Sequence, residues 1–186
     1  VNHWLPRQIR YHSESNRLTT DPQTRNFLQD QMTMIYLQPE KAKQALVLAM
    51  QQQAANGEMP DGLLLHPDAE LKYINQIPHS DHNVWLIIFI ANYLAETNDF
   101  AFLNEQVTYV DHSSASVHAH IEAALNCLLD NLDQRGLALI HQGDWCDPMN
   151  MVGHRGKGVS AWLTMATSYC AKRWSQACSA AGLSTE

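Results

Sequence analysis

The chain has 186 residues, of which 45% are hydrophobic, and it carries a formal net charge of −7 at pH 7. This length and apolar content can bury one hydrophobic core, so we expect a single domain. The acidic balance argues against nucleic acid and against anionic membranes as partners, because both require clustered Lys and Arg.

The apolar runs and the cysteines of the sequence indicate the cellular compartment of the protein. The apolar run Val84–Leu94 is too short to span a bilayer, and no signal-peptide pattern opens the chain. The four cysteines show no CxxC spacing, which is typical of reduced thiols rather than of a disulfide framework. We therefore expect a cytoplasmic protein.

Three helices are predicted in the first half of the chain. One covers Phe27–Leu37. The next begins at Pro39, a favoured first helical residue, and ends near the Asn56-Gly57 pair. The third covers residues 83–96, which are apolar almost all round and therefore indicate a helix buried on most sides.

Two further helices are predicted in the second half. One starts at the Ser113–Ser116 cluster and continues to Leu132, and the other runs from about Val159 to Cys170. A short strand at Leu137–Ile140 is the only strand signal. The predicted connections are long and polar: 57–80, 98–113 and 133–158. Because long connections without structure are usually functional, we expect an all-α array with its chemistry on the loops.

The segment "GDWCDPMNMVGHRGKG" is the first candidate site. Asp144 and Asp147 are three residues apart, with Trp145 between them as an apolar platform of the kind that stacks on sugar rings. A carboxylic acid beside a tryptophan and away from water has a raised pKa, which a general acid needs. The alternative is that Asp144 caps a turn and Trp145 fills the core.

The segment "RNFLQD" is the second candidate. Arg25 offers a planar donor fork and Asp30 accepts hydrogen bonds from hydroxyls, so both suit a sugar. Their five-residue spacing does not place them on one face of a regular helix. Ordinary surface charges are the alternative interpretation.

The segment "PHSDHNVW" is the third candidate. His79, Asp81 and His82 precede the buried helix, and zinc is one interpretation because His and Asp are zinc ligands. However, His118 and His120 diverge on a helix, and HExxH does not occur. We therefore expect no metal ion, with Asp81 or Ser80 as the helix N-cap.

In their order, these segments resemble motifs of the glycoside phosphorylases in glycoside hydrolase family 94. "GDWCDPMNMVGHRGKGVSAWL" is similar to their GDWNDGMNxVGxxGKGESVWL, "RNFLQD" to RDxxQD, and "SDHNVWL" to SDDxLWL. "YLAETNDFAFLNEQVTY" is similar to YxxETGDxxxLxExVPF, and "VNHWLPRQIRY" resembles the segment that leads into their catalytic domain.

The resemblance implies an (α/α)6 barrel, with residues 1–186 as the N-terminal portion of the catalytic domain. It also implies inverting phosphorolysis of a β-glucosyl disaccharide, in which inorganic phosphate is the co-substrate and α-glucose 1-phosphate the product. No cofactor is implied, and the full-length protein would be a homodimer. The family's phosphate ligands fall outside this sequence, so we expect the chain to behave as a fragment with little activity alone.

The resemblance implies a role for each residue that occupies a matching motif position. Asp147 would be the general acid, Trp145 would line the glucosyl site, and Arg25 and Asp30 would hold sugar hydroxyls. In the SDD-like motif, Asp81 and His82 would also contact substrate. One strong acid candidate fits phosphorolysis, because an inverting hydrolase needs a second carboxylate to activate water, whereas phosphate is already an anionic nucleophile.

Departures from the family pattern cluster around the expected pocket: Asn26, His82, Cys146 and Val159. They indicate an acceptor other than plain glucose. The segments "GEMPDGLLL" and "ELKYINQIPHSDH" look more like members that act on cellobionic acid (glucosyl-gluconate), and His79, His82 or Lys72 would then meet the gluconate carboxylate.

Two other functions stay open from the sequence. One is an inverting helical-barrel hydrolase, which would not require phosphate. The other is a degenerate carbohydrate-binding helical module without catalysis.

Overall fold

The computed structural model describes residues 2–146 and 150–183. Most of these residues lie in α-helices or 3-10 helices, which is consistent with the predicted all-α class. The helices are α1 (Trp4–Ser15), α2 (Thr24–Met32), α3 (Pro39–Met50), α4 (His82–Thr97), α5 (Val117–Asp130), α6 (Asn150–Gly153) and α7 (Ala161–Ala180).

Helix α4 lies at the centre of the fold and packs against α2, α3, α5 and α7. Its side chains are buried on most faces, as its sequence predicts, and Phe89 is 0% exposed. The helix ends at Asn98, whose φ of 55° is left-handed, a common way to stop a helix. In the described part of the chain, no helix combines the length and apolar character that crossing a membrane requires.

The other predicted helix starts are also observed. Ser116 Oγ accepts a hydrogen bond from the Ala119 amide and so caps α5. Ser160 Oγ caps α7 in the same way through the Leu163 amide. Pro39 occupies the first turn of α3.

The predictions missed one helix and misjudged the extent of others; α7, for example, continues to Ala180 rather than ending near Cys170. Helix α1 was not predicted; among its described residues only Ser13 is buried, and its large apolar side chains Trp4 and Leu5 are exposed. Helix α2 ends at Met32, and a 3-10 turn covers Thr33–Tyr36. Helix α3 ends at Met50 rather than near Asn56, since turns replace the helix from Gln51 onward.

The strand prediction was also wrong. Leu137–Ile140 forms isolated β-bridges instead of a strand. The short strands β1 (Gln106–Thr108) and β2 (Ser114–Ser116) pair antiparallel, and β1 falls in a connection that was predicted to lack structure. Together they form a small hairpin that leads into α5.

Phe89→Ala tests the central role of α4. We expect the free energy of unfolding to fall by about 3–5 kcal/mol, because the change leaves a cavity in a fully packed core. Urea denaturation measures this loss. Met165→Ala on α7 is the control, since Met165 is 66% exposed and its removal should cost about 0.5 kcal/mol or less. Equal losses in both variants would contradict a central α4.

Asp21 holds part of the long connection before α4. Its side chain is 1% exposed and accepts hydrogen bonds from Thr19, from the Lys72 amide at 2.7 Å and from Asn75. Burial alone would raise the pKa of Asp21, but these hydrogen bonds outweigh burial and hold the pKa well below its usual value. The ionised carboxylate therefore stabilises this connection.

Asp21→Asn should lower the free energy of unfolding at pH 7 by about 1–3 kcal/mol, because Asn presents donors where the protein offers donors. The folded-state pKa is depressed, so the stabilisation is present above about pH 4 and is lost as the pH falls further. The stability gap between the unsubstituted chain and the variant should therefore narrow on acidification below pH 4. Denaturation curves at a series of pH values measure it, and a gap that stays constant down to pH 3 would contradict the role.

Candidate active site

Arg25 joins two of the predicted segments. Its side chain is 5% exposed, and its Nη1 donates a hydrogen bond of 2.7 Å to the backbone carbonyl of Asp144. The same Nη1 lies 3.5 Å from Asp81 Oδ1, and Asp81 is 0% exposed. Residues from all three predicted segments therefore lie side by side, although they are far apart in sequence.

Asp81 is the N-cap residue of α4, as predicted, but its side chain accepts no hydrogen bond from the first-turn amides. Instead, Asp81 Oδ2 accepts a hydrogen bond of 2.9 Å from Trp85 Nε1, one helical turn later. The carboxylate thus links the Arg25 cation to an indole ring.

Trp145 is part of an aromatic cluster with Trp85 and Trp162. Its ring centroid lies 5.4 Å from Trp85 and 6.4 Å from Trp162, and the latter pair is stacked. The Arg25 guanidinium carbon lies 5.6 Å from the Trp145 ring centroid. Trp145 remains 45% exposed, so part of the residue is available as an apolar platform rather than filling the core.

Backbone contacts fix the segment that carries Trp145. The Ser80 amide donates to the Gly143 carbonyl at 2.9 Å, and Asp144 Oδ1 accepts from the Cys146 amide at 2.8 Å. Asp144 therefore closes a turn, as the structural interpretation of this residue predicted. Further along, a Cβ on Gly153 would lie 1.6 Å from the His141 carbonyl oxygen, so only glycine allows this close backbone approach.

Asp147, the predicted general acid, lies outside the described residues. Its catalytic role stays a prediction.

Asp30 lies in a different environment from Arg25. Its carboxylate forms a two-point ion pair with Arg17, with Arg17 Nε 2.8 Å from Asp30 Oδ2. Within the described ranges it makes no hydrogen bond or ion pair with Arg25, Asp81 or Trp145. Its predicted contact with substrate also stays a prediction.

Asp61 was missed by the sequence analysis and organises two histidines. Its Oδ1 lies 2.7 Å from His79 Nδ1 and 2.7 Å from His82 Nε2. Burial alone would raise the pKa of Asp61, but the contacts with His79 and His82 lower it. The hydrogen bond to Asp61 in turn raises the pKa of His79, although burial opposes this. An aspartate in "MPDG" carries no spacing signal toward "PHSDH", so the pattern could not reveal the cluster.

A cavity of about 690 Å³ lies beside this cluster. Its walls include Asp61, His79, His82, Asn83 and His141. The volume is in the range typical of small-molecule sites.

Gln23 connects the cavity wall to the Arg25 side of the site. Its Oε1 accepts a hydrogen bond of 3.0 Å from Arg25 Nε, and its Nε2 lies 3.3 Å from His79 Nδ1. Gln23 was another residue that the sequence analysis did not single out.

The remaining histidine pair diverges, as predicted. His120 is 0% exposed and contacts Gln53 Oε1 and the Val107 carbonyl, whereas His118 lies next to Glu122 and Cys178. Burial lowers the pKa of His120, which favours its neutral form.

Residues 22–186, which include every site residue described above, match the catalytic domain of the glycosyl hydrolase 94 superfamily. The chain therefore belongs to this family.

Among its relatives, cellobionic acid phosphorylase of Neurospora crassa is 53% identical over 96% of this chain. The 3-O-beta-D-glucopyranosyl-beta-D-glucuronide phosphorylase of Paenibacillus borealis is 32% identical over 91% of the chain, and solabiose phosphorylase of the same organism is 33% identical over 89%. The chain spans only 22%, 22% and 20% of the length of these relatives, respectively.

Asp81→Asn tests the buried charge pair. The variant keeps an oxygen that can accept from Trp85 but removes the negative charge beside Arg25. We expect the free energy of unfolding to fall by about 3 kcal/mol, because a buried cation loses a negatively charged neighbour. Glu96→Gln on the exposed part of the same helix is the matched control and should change stability by about 0.5 kcal/mol or less. Equal urea midpoints for both variants would show that the Arg25–Asp81 pair does not stabilise the site.

Proposed function

We propose that the protein that carries this chain is an inverting glycoside phosphorylase. It transfers the glucosyl group of a β-glucosyl disaccharide to inorganic phosphate and releases α-glucose 1-phosphate. Residues 1–186 form the N-terminal portion of its (α/α)6-barrel catalytic domain. The protein is a cytoplasmic homodimer that uses inorganic phosphate as co-substrate.

The convergence of three distant segments on Arg25 carries this proposal. Arg25 contacts the Asp144 carbonyl and Asp81, and its guanidinium lies against the Trp145 ring. These contacts bring a hydrogen-bond donor, buried carboxylates and a half-exposed indole into one place. This combination suits a sugar ring, whose apolar face stacks on an aromatic while its hydroxyls bind polar groups.

The chemistry assigned to the site needs one acid. A phosphate oxygen forms a bond to the anomeric carbon from one side, while the glycosidic C–O bond breaks on the other. Asp147 donates its proton to the departing glycosidic oxygen. Trp145 supports the glucosyl ring, Arg25 and Asp81 hold the Trp145 segment in place, and Asp30 and His82 supply polar contacts to the substrate.

The preferred disaccharide is cellobionic acid or a close analogue. The relative that is 53% identical is named a cellobionic acid phosphorylase, and a second relative is named for a glucuronide. His79, at the cavity wall, has a raised pKa and so retains positive charge nearer to neutral pH than an ordinary histidine. Positive charge at this wall suits a carboxylate on the acceptor sugar.

The test is phosphorolysis by the full-length protein that carries the chain. Glucose 1-phosphate formation is measured with cellobionic acid and with cellobiose, in the presence and absence of phosphate. We expect phosphate-dependent turnover with a higher kcat/KM for cellobionic acid. Asp147→Asn should lower kcat about 10²- to 10⁴-fold, because it removes the proton donor.

Asp68→Asn is the control variant, since its side chain is 92% exposed, and it should leave turnover unchanged. Full activity in Asp147→Asn would contradict the assignment of the general acid. Glucose release without phosphate would instead indicate a hydrolase. Calorimetric binding of disaccharide without any turnover would indicate a carbohydrate-binding module, and its loss in Trp145→Ala would locate the site.

A further inference from the structure

Asp61, His79 and His82 form a compact cluster of nitrogen and oxygen ligands. One ligand atom of each residue lies within 4.8 Å of the other two. The side chains of Asp61 and His82 are each 3% exposed, and that of His79 is 12% exposed. The cluster is therefore shielded from solvent and borders the cavity.

The two carboxylate oxygens of Asp61 differ in their hydrogen bonding. Both histidine nitrogens approach the same oxygen, Asp61 Oδ1, at 2.7 Å. The second oxygen, Asp61 Oδ2, is buried and has no hydrogen-bond partner in the described part of the chain. Leaving a buried carboxylate oxygen unpartnered costs about 1–3 kcal/mol or more, so this atom calls for a ligand.

The short nitrogen–oxygen contacts also require a positive centre between the atoms. A lone pair on His82 Nε2 would repel the carboxylate at 2.7 Å unless a proton or a metal ion lies between them. One proton on each imidazole would provide hydrogen bonds to Oδ1 but would leave Oδ2 without a partner. A single metal ion satisfies both nitrogens and can also take Oδ2.

We infer that Asp61, His79 and His82 bind one divalent transition-metal ion, with Zn²⁺ the best match. Two imidazoles and one carboxylate are a known zinc ligand set, and three protein ligands leave a coordination position open. Because the cluster borders the cavity, that position is available to a water molecule or an anionic ligand. The ion would replace the imidazole protons as the positive charge at this wall.

Binding requires a small rearrangement. Ligands about 2.0–2.1 Å from a tetrahedral ion lie about 3.3 Å apart, so the histidine nitrogens must move roughly half an ångström from Asp61 Oδ1. His79 Nδ1 must also leave the Ile77 carbonyl, which lies 2.8 Å away and competes for it. Rotation of the Asp61 carboxylate to present Oδ2 provides part of this movement.

This inference departs from the expectation of no metal ion. The sequence analysis considered His79, Asp81 and His82 as the ligands, but Asp81 is engaged by Arg25 and Trp85. Asp61 takes its place. The inference does not rest on phosphorolysis, so metal content rather than activity tests it.

The experiment is equilibrium dialysis of the metal-free protein against Zn²⁺, followed by elemental analysis. We expect one equivalent of zinc in the unsubstituted protein. Asp61→Asn and His82→Gln should each weaken zinc binding at least about 100-fold, because each removes a direct ligand. His66→Ala is the control, since that histidine is 62% exposed and lies outside the cluster, and it should bind zinc normally.

Co²⁺ substitution identifies the ligands without any variant. We expect a cobalt spectrum with ligand-field bands of nitrogen and oxygen coordination. A thiolate charge-transfer band would assign the metal to cysteine and would overturn the inference. Less than stoichiometric zinc in the unsubstituted protein, or zinc binding that survives Asp61→Asn, would also overturn it.

Discussion

The burial of α4 on most faces is the constraint on which the site depends. Asp81 and the first residues of the helix, His82 and Asn83, are almost inaccessible to solvent. A buried polar or charged group is costly unless the protein supplies a partner. Asp81 therefore contacts Arg25 and Trp85, and His82 contacts Asp61. Residues from other segments gather at the start of α4, because its buried polar groups need hydrogen-bond partners inside the protein.

These partners join into one continuous network. Arg25 donates to Gln23, which contacts His79, and His79 and His82 share Asp61. One end of the network lies against the Trp145 ring and the other borders the cavity. Direct contacts therefore link the cavity wall to the Trp145 ring, so the two regions are parts of a single site.

Helix periodicity and caps made α4, α5 and α7 predictable, because their apolar residues recur regularly and serine precedes the last two. Helix α1 was missed; its large apolar residues Trp4 and Leu5 are exposed and do not enter the core that the predicted helices share.

The contacts of the candidate site also divide into those that the sequence could reveal and those that it could not. Arg25, Asp81 and Trp145 could be selected because their motifs are recognisable, and the structure brings them together. Arg17, the partner of Asp30, could not be selected from the sequence. It reaches Asp30 from a left-handed backbone conformation (φ 56°) that no pattern indicates. Asp61 meets His79 only through tertiary packing of a long connection, and sequence spacing does not encode such a contact.

The described carboxylates of the candidate site position other groups. Asp144 and Asp81 are both 0% exposed, and Asp144 closes its own turn while Asp81 lies against Arg25.

Asp30 and Asp61 are engaged as well, by Arg17 and by the histidine pair. Within residues 2–146 and 150–183, each carboxylate of the candidate site is therefore occupied in positioning other groups rather than placed to act as a base.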